Sequence, residues 1–360
     1  VEDLVVTAQP RLDEVSGLPR VRRGPTAWLK PIIGIAISAF FIWLALRNLS
    51  LHDIGTALAG ADWRLVALAL PCLAIGYTAR ITRWWVMLRP SAPDLRWTSA
   101  ASPFLISIAA NNVLPLRIGD VLRLFAFRGR PGLEAGRVGG TLLVERLLDL
   151  FVLLAIFALV LPYVPASADN ARIVTAATWA ALAGAVALLG LVLLPAIERL
   201  VLSRIAQIPA VRGSALAGKL LGIVSALVDT LVRLGRPSRI AALILLSLAA
   251  WLFEGGVFVV AAGAAGVPLS LQGSFFALAV ATLSTLLPSS PGYVGTFHFF
   301  GMQAAMAFGA AQPNAAAFAI IAHLMLWLPT TAAGLIAFTW STLRQQARPA
   351  DGFSAPPARP

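Results

Sequence analysis

Residues 111–123 read Asn-Asn-Val-Leu-Pro-Leu-Arg-Ile-Gly-Asp-Val-Leu-Arg, a cluster of amides, arginines and one acid inside an apolar chain. The apolar run leading into it, Ser102–Leu114, is too short to cross a bilayer, which takes about 20 residues and at least roughly 17. Pro115 and Gly119 then interrupt it. Irregular, charged backbone at such depth is tolerated only where protein buries it or where it lines a watery cavity. The segment therefore reads as a re-entrant hairpin, with one half-helix in and one half-helix back.

A second stretch has the same form. Phe275–Leu287 is apolar, breaks at Pro288, Pro291, Gly292 and Gly295, and resumes as a short apolar segment to Phe308. Leu287-Pro288 precedes Gly292 by the spacing at which Leu114-Pro115 precedes Gly119. Around the two breaks stand six stretches long enough to span: Leu29–Leu46, Leu65–Leu88, Thr141–Val164, Ile173–Leu194, Ile240–Ala262 and Ala315–Phe338. Each broken segment has one span before it and one after it. The fold expected is an all-α polytopic membrane protein with six full spans and two oppositely oriented re-entrant helical hairpins, forming an inverted repeat. In secondary transporters, paired Gly/Pro-interrupted segments of that kind mark a substrate site near the midplane.

Composition agrees. The 360 residues are 59% hydrophobic and only 12% charged, and the mean hydropathy is +0.83. A soluble domain carries about 25% charged residues and could not hide this much apolar surface. The net charge of +12 falls between apolar spans without interleaved exposed aromatics, which favours a lipid surface and excludes nucleic acid as partner. With the N-terminus cytoplasmic and neither hairpin crossing, segments 1–30, 80–137, 195–239 and 340–360 hold 24 of the 28 Lys and Arg residues, as the positive-inside rule requires. Counting either hairpin as a crossing would put an Arg-rich loop outside. The expected location is a bacterial inner membrane, multi-pass, with both termini cytoplasmic.

The expected domain plan is a disordered N-terminus (1–28), a membrane domain (29–340) in halves 29–164 and 173–340, and a disordered tail (341–360). Residues 196–234 link the spans; Leu220, Val224, Leu227, Val228 and Leu231 recur there at helical spacing, as in an interfacial amphipathic helix or a surface-docked linker. No cleavable signal peptide is evident in residues 1–30. One cysteine, Cys72, and three scattered histidines give neither a disulfide, a thiolate cluster nor zinc spacing, so no metal and no cofactor is expected.

The candidate site residues follow from the cost of charge in hydrocarbon. Asn111 and Asn112 can satisfy freed backbone groups. Arg117 and Arg123 offer the planar fork that suits a phosphate, and Asp120 is placed to hold one of them; a plain staple across the hairpin is the alternative. Glu145 and Asp149, flanking Arg146, share one helical face and could carry a proton, bind a cation or neutralise the hairpin arginines. Arg80 and Arg83, beside Trp84 and Trp85, read as an interfacial anchor. Glu254 stands alone in its span. Gly292, Gly295 and the helix after them can present backbone N–H groups to an anion, although the segment is not a nucleotide P-loop. His298 and His323 could titrate near neutrality, or simply pack.

The pattern Asn112-xx-Pro115-x-Arg117-x-Gly119-Asp120-xx-Arg123, then Glu145-Arg146-xx-Asp149, then Pro288-xx-Pro291-Gly292-xx-Gly295 resembles the flippase-like transmembrane domain of lysylphosphatidylglycerol synthases, over roughly residues 30–340. The resemblance implies movement of a phospholipid between leaflets, while a separate cytosolic domain of the larger members attaches the amino acid. No such domain follows Trp340, so a stand-alone member without aminoacyl transfer is expected. Asp120 stands where the family usually has Glu, and His298 where many members have Glu.

The function expected is a flippase-like transporter, not an enzyme, moving a phospholipid or lipid-linked headgroup through a polar site between the hairpins. Asn112, Arg117, Asp120, Arg123, Glu145, Arg146, Asp149, Gly292 and Gly295 would bind it, with Glu254, His298 and His323 available for coupling. The alternatives are a proton-coupled small-solute transporter, or an accessory subunit or enzyme of lipid or lipid-linked glycan synthesis. Partners beyond the lipid would be a further copy of the chain or a separate lipid-modifying enzyme.

Overall fold

The computed structural model describes residues 29–47, 49–165 and 215–346, with isolated positions between the last two blocks. The expected span Ile173–Leu194, the first part of the linker (196–214) and the ends (1–28 and 347–360) lie outside the described residues. Those described form helices and turns, with no strand among them. In chain order they are α1 (Leu29–Leu46), α2 (Leu51–Ala59), α3 (Trp63–Leu88), α4 (Trp97–Val113), α5 (Ile118–Leu124), α6 (Ala135–Val160), α7 (Ala215–Leu234), α8 (Pro237–Ala264), α9 (Leu271–Ser284), α10 (Thr296–Ala307) and α11 (Gln312–Gln346).

Helices α3, α8 and α11 are long and apolar enough to cross a membrane by length and composition. Helix α6 is equally long, at 26 residues, but it carries Glu145, Arg146 and Asp149. Helix α1 turns into α2 through a bend of 80°. Local chemistry sets several starts. Ser50 accepts the Asp53 N–H, Asp62 accepts the Arg64 N–H, and Ser270 accepts the Gly273 N–H, each answering an otherwise orphaned amide. Pro237 opens α8 at a position whose missing N–H costs nothing.

Both broken segments are helical hairpins. Helix α5 runs back along α4: Asn111 bonds Asp120, and the Arg123 guanidinium covers the Phe104 ring. Gly119 permits this, since a Cβ there would overlap the Ser107 carbonyl. In the second hairpin Gly301 faces Ala281, and Phe308 lies tilted against Phe276 with ring centroids 5.5 Å apart. The order helix, hairpin, helix thus occurs twice, as α3–α4/α5–α6 and as α8–α9/α10–α11. Each hairpin packs on the other set's last helix: α4 on α11, and α9 on α6. Helices α3 and α8 form the most extensive pairing and run antiparallel. The Asp62 N–H at the start of α3 donates to Ala264 O at the end of α8, and Gly76 lies against Ala250 further along.

Helix α7 packs on α6 with Leu227, Val228 and Leu234 buried, the arrangement of a docked linker. One expected boundary shifts. Helix α11 continues to Gln346, so residues 341–346 belong to a helix and not to a tail, because nothing in Ser341-Thr-Leu-Arg-Gln-Gln stops the last turn. The segment 47–64, between the first two expected spans, contains α2.

Helix α1 is tied to the second hairpin at its turn. The Ser290 N–H donates to Ser38 Oγ at 2.8 Å, and Gly34 and Gly295 allow the two backbones to touch. Ser38→Ala leaves that half-buried amide without an acceptor and should cost about 1–3 kcal/mol, read as a lower unfolding temperature in detergent.

Candidate functional site

The two hairpin turns meet. Arg117 Nη2 donates to Thr285 O at 3.0 Å, its guanidinium sits 5.6 Å from the Tyr293 ring centroid, and Gly292 lies close to the Asn112 carbonyl and the Trp327 indole. Asn112 is fixed from α11, donating to Thr330 at 3.1 Å and Thr331 at 2.9 Å, while Trp327 donates back to Asn112 O at 3.3 Å. Leu116, Arg117 and Tyr293 all adopt left-handed backbone, with φ of 63°, 53° and 59°. Such residues cost about 1–3 kcal/mol each and persist where the surroundings over-determine them, often at functional sites. Here each turn holds the other.

Beside the junction lies a cavity of about 190 Å³ with charged walls, lined by Arg80, Arg117, Glu145, Arg146, Asp149 and Glu254 among others. An apolar groove of about 570 Å³ adjoins it, between the two turns and Ile33 and Ile35 of α1. Arg117, Gly292 and Tyr293 border both spaces.

Four carboxylates answer four of the five arginines gathered here. Arg123 is fully buried and grips Glu145 with both Nη atoms, at 3.1 and 2.8 Å, between the Trp84 and Phe104 rings at 4.1 and 4.5 Å. Arg83, also fully buried, donates to Asp149 at 2.7 Å and Ser247 at 2.8 Å. Trp251 adds a bond to Asp149 at 3.1 Å. Arg80 pairs with Glu254 at 2.6 Å and approaches Asp149 at 3.5 Å, over the Trp251 ring at 4.2 Å. Arg146 reaches Asp120 at 2.9 Å. Among the described residues Arg117 makes no ion pair; its partners are a carbonyl and an aromatic face. A half-buried guanidinium without a counter-ion, at the mouth of a cavity, is the group best placed to take an anion.

The structure sorts the expected site residues. Asn112, Arg117, Glu145, Arg146, Asp149, Gly292, Glu254 and His323 are brought together on the cavity. Arg123 lies behind its wall, committed to Glu145. Asp120 stands behind Arg146 and holds that residue, not either hairpin arginine. Gly295 packs on α1 at Ser38 and its amide is taken by His298 Nδ1 at 3.3 Å, so the backbone N–H expected to face an anion is already used. His298 borders an apolar pocket with Ile42, Leu46 and Ile54 and touches His323 at 3.2 Å. Glu254 finds its counter-charge across the bundle, in Arg80.

Arg80 and Arg83 are the main correction. They are not interfacial anchors but the partners of Glu254 and Asp149. The adjacent Trp84 and Trp85 suggested an interface, yet Trp84 is buried against Phe104 and Phe127. Two acids four residues apart in a span, needing cations of their own, were the available signal. Tyr293 gave none, since its role depends on the turn geometry.

Taken together, the apolar helices and the ion-paired interior define a multi-pass helical membrane protein with an inward-facing polar site. The family model of the lysylphosphatidylglycerol synthase transmembrane region matches residues 32–334, and the chain belongs to that family. It is also similar to a protein of Haloferax volcanii named glycosyltransferase AglD, at 27% identity over 315 residues. That match covers 78% of this chain but 48% of the relative, so the chain spans about half that protein's length.

Proposed function

We propose that the chain is a flippase-like transporter that passes the phosphate-bearing headgroup of a lipid between leaflets through the cavity at the hairpin junction. One observation carries this reading: Arg117, which makes no ion pair among the described residues, stands where a polar cavity meets an apolar groove. An amphiphile needs both, a charged place for its head and an apolar one for its chain, and a small polar solute would use only the first. Keeping the chain in lipid removes most of the crossing cost and leaves the headgroup to be solvated.

The arrangement of the chain supports the same reading. Arg80 and Glu254, 174 residues apart, pair between antiparallel α3 and α8. Each begins its helix–hairpin–helix set, so the two sets run in opposite senses. That favours hairpins entering from opposite faces, as in inverted-repeat transporters; six spans, cytoplasmic termini and a bacterial inner membrane are the rest of the proposal. The relative's printed name, a glycosyltransferase, brings in a second substrate class to test, a sugar-bearing lipid phosphate. Both classes share a phosphate on an apolar chain.

The test is leaflet exchange in reconstituted vesicles, with fluorescent anionic and zwitterionic phospholipids in one arm and a glycosylated prenyl phosphate in the other. Charge-assisted hydrogen bonds contribute about 1.5–3 kcal/mol, so Arg117→Ala should slow exchange by roughly 10- to 150-fold. Arg117→Lys, which keeps the charge and loses the fork, should fall between. Wild-type exchange no faster than in empty vesicles, for every lipid tried, would sink the proposal.

A further inference from the structure

Three hydrogen bonds in a row tie two histidines to the second turn. The Gly295 N–H donates to Nδ1 of His298 over 3.3 Å. Nε2 of His298 lies 3.2 Å from Nδ1 of His323, and Nε2 of His323 lies 2.8 Å from the Gly292 carbonyl oxygen. The two ends assign the protons. An amide only donates, so His298 Nδ1 is bare; a carbonyl only accepts, so His323 Nε2 carries hydrogen. Neutral His298 therefore has its proton on Nε2 and gives it to the bare Nδ1 of His323. Both rings are Nε2–H tautomers, and the chain of bonds runs one way.

This arrangement holds two ring protons and has no place for a third. On His298 Nδ1 a third proton would face the Gly295 N–H; on His323 Nδ1 it would face the His298 N–H. Either position breaks a link. The links fasten the turn that carries Tyr293, the residue set over Arg117 in left-handed backbone. His323 borders the cavity, so a proton can arrive from cavity water. The pocket that His298 borders is lined by Ile42, Ala45 and Leu46 of α1, Ile54 of α2, and Ala316 and Ile320 of α11, all apolar. The charged and titratable groups sharing the cavity with His323 are Tyr77, Arg80, Arg117, Tyr293, Glu254 and the three charges of α6. Glu254, Glu145 and Asp149 are each engaged by an arginine.

We propose that the His298–His323 pair is a proton-binding site that couples headgroup movement to a pH difference, and that the conformation described here is the one with the proton released. The inference rests on the transport reading above and adds its driving force. Uptake of one proton from water breaks the bond chain, frees the Gly292–Gly295 turn and withdraws Tyr293 from Arg117, opening the anion site. Release to water on the other side restores the chain. A ligand accepted by one conformation and excluded by another shifts the balance by its difference in affinity, and the coupling is reciprocal.

Two measurements on the full chain decide it. In vesicles, exchange of fluorescent phosphatidylglycerol is followed at symmetrical pH and under an imposed gradient of two pH units. Wild type should change rate at least tenfold under the gradient; His298→Gln and His323→Gln should respond less than twofold, whatever their rate at symmetrical pH. A wild type indifferent to the gradient, or variants that still respond, overturns the proton site and leaves lipid exchange standing. Absence of exchange under every condition removes the transport reading instead. Independently, nitrogen NMR of ¹⁵N-histidine protein resolves only three rings. His298 and His323 should both be Nε2–H tautomers at neutral pH, and an Nδ1–H tautomer at either position overturns the proposal even where exchange is observed.

Discussion

Glu145→Ala should destabilise the folded protein by about 3–5 kcal/mol, the cost of leaving a buried charge without its counter-ion. The charge is Arg123, fully buried and bonded through both Nη atoms to Glu145. Trp84 and Phe104 cover both faces of the guanidinium, so the lost carboxylate has no protein substitute there. Arg123→Met alone should be similarly damaging, because Glu145 would then be stranded. The double variant Arg123→Met/Glu145→Leu removes both charges and should recover most of the loss, since apolar replacements of a buried pair are often neutral. Denaturant titration in mixed micelles reads all three. A single variant within 1 kcal/mol of wild type would show that the pair does not hold α5 to α6.

The second large effect is expected at Gly119. Its missing Cβ is the space through which α5 lies against α4: a methyl there overlaps the Ser107 carbonyl and comes within 2.6 Å of Asn111 Oδ1. The obstacle on one side is backbone, which cannot rotate away. Gly119→Ala should therefore cost at least the 1–3 kcal/mol typical of overpacking and should shift Asp120 and Arg123 off Asn111 and Glu145. Gly136→Ala, at a site with nothing within 4 Å, is the matched control and should be neutral or gain up to about 1 kcal/mol from helix propensity. Unfolding temperatures separate the two; equal values would mean that the hairpin relaxes freely around the added methyl.

Those two sites also show where sequence reasoning reached and where it stopped. The apolar runs and their Pro/Gly breaks placed α1, α3 and α8 within three residues, and α6, α11 and both hairpins less closely, because burial in lipid leaves an uninterrupted record in composition. Arg117 was legible as a charge in the wrong solvent. Partner choice was not. Asp120 could reach Arg117, Arg123 or Arg146 by spacing alone, and only the packing of α5 on α6 selects Arg146. Arg83 read as an interfacial anchor and Arg123 as a phosphate-binding fork because their partners lie 66 and 22 residues away. The positive-inside count inherits this: of the nine arginines in segment 80–137, Arg80, Arg83, Arg117 and Arg123 face inward and report on no membrane surface. Residues 89–96 and 128–137 still carry Arg89, Arg96, Arg128, Arg130 and Arg137. Tyr293 became visible only once the two turns were seen to meet.

Asp149 joins helices that sequence order keeps far apart. Arg83 of α3 and Trp251 of α8 both donate to its carboxylate on α6, and the same Arg83 nitrogen also reaches Ser247 of α8. Three helices drawn from both halves of the chain are thereby bolted to one buried side chain. A cycle that rocked one half as a block against the other would have to unbolt them and desolvate every charge afresh on each turn. On the transport reading the fixed post is this carboxylate, and the travelling parts are the short hairpins and not the long spans.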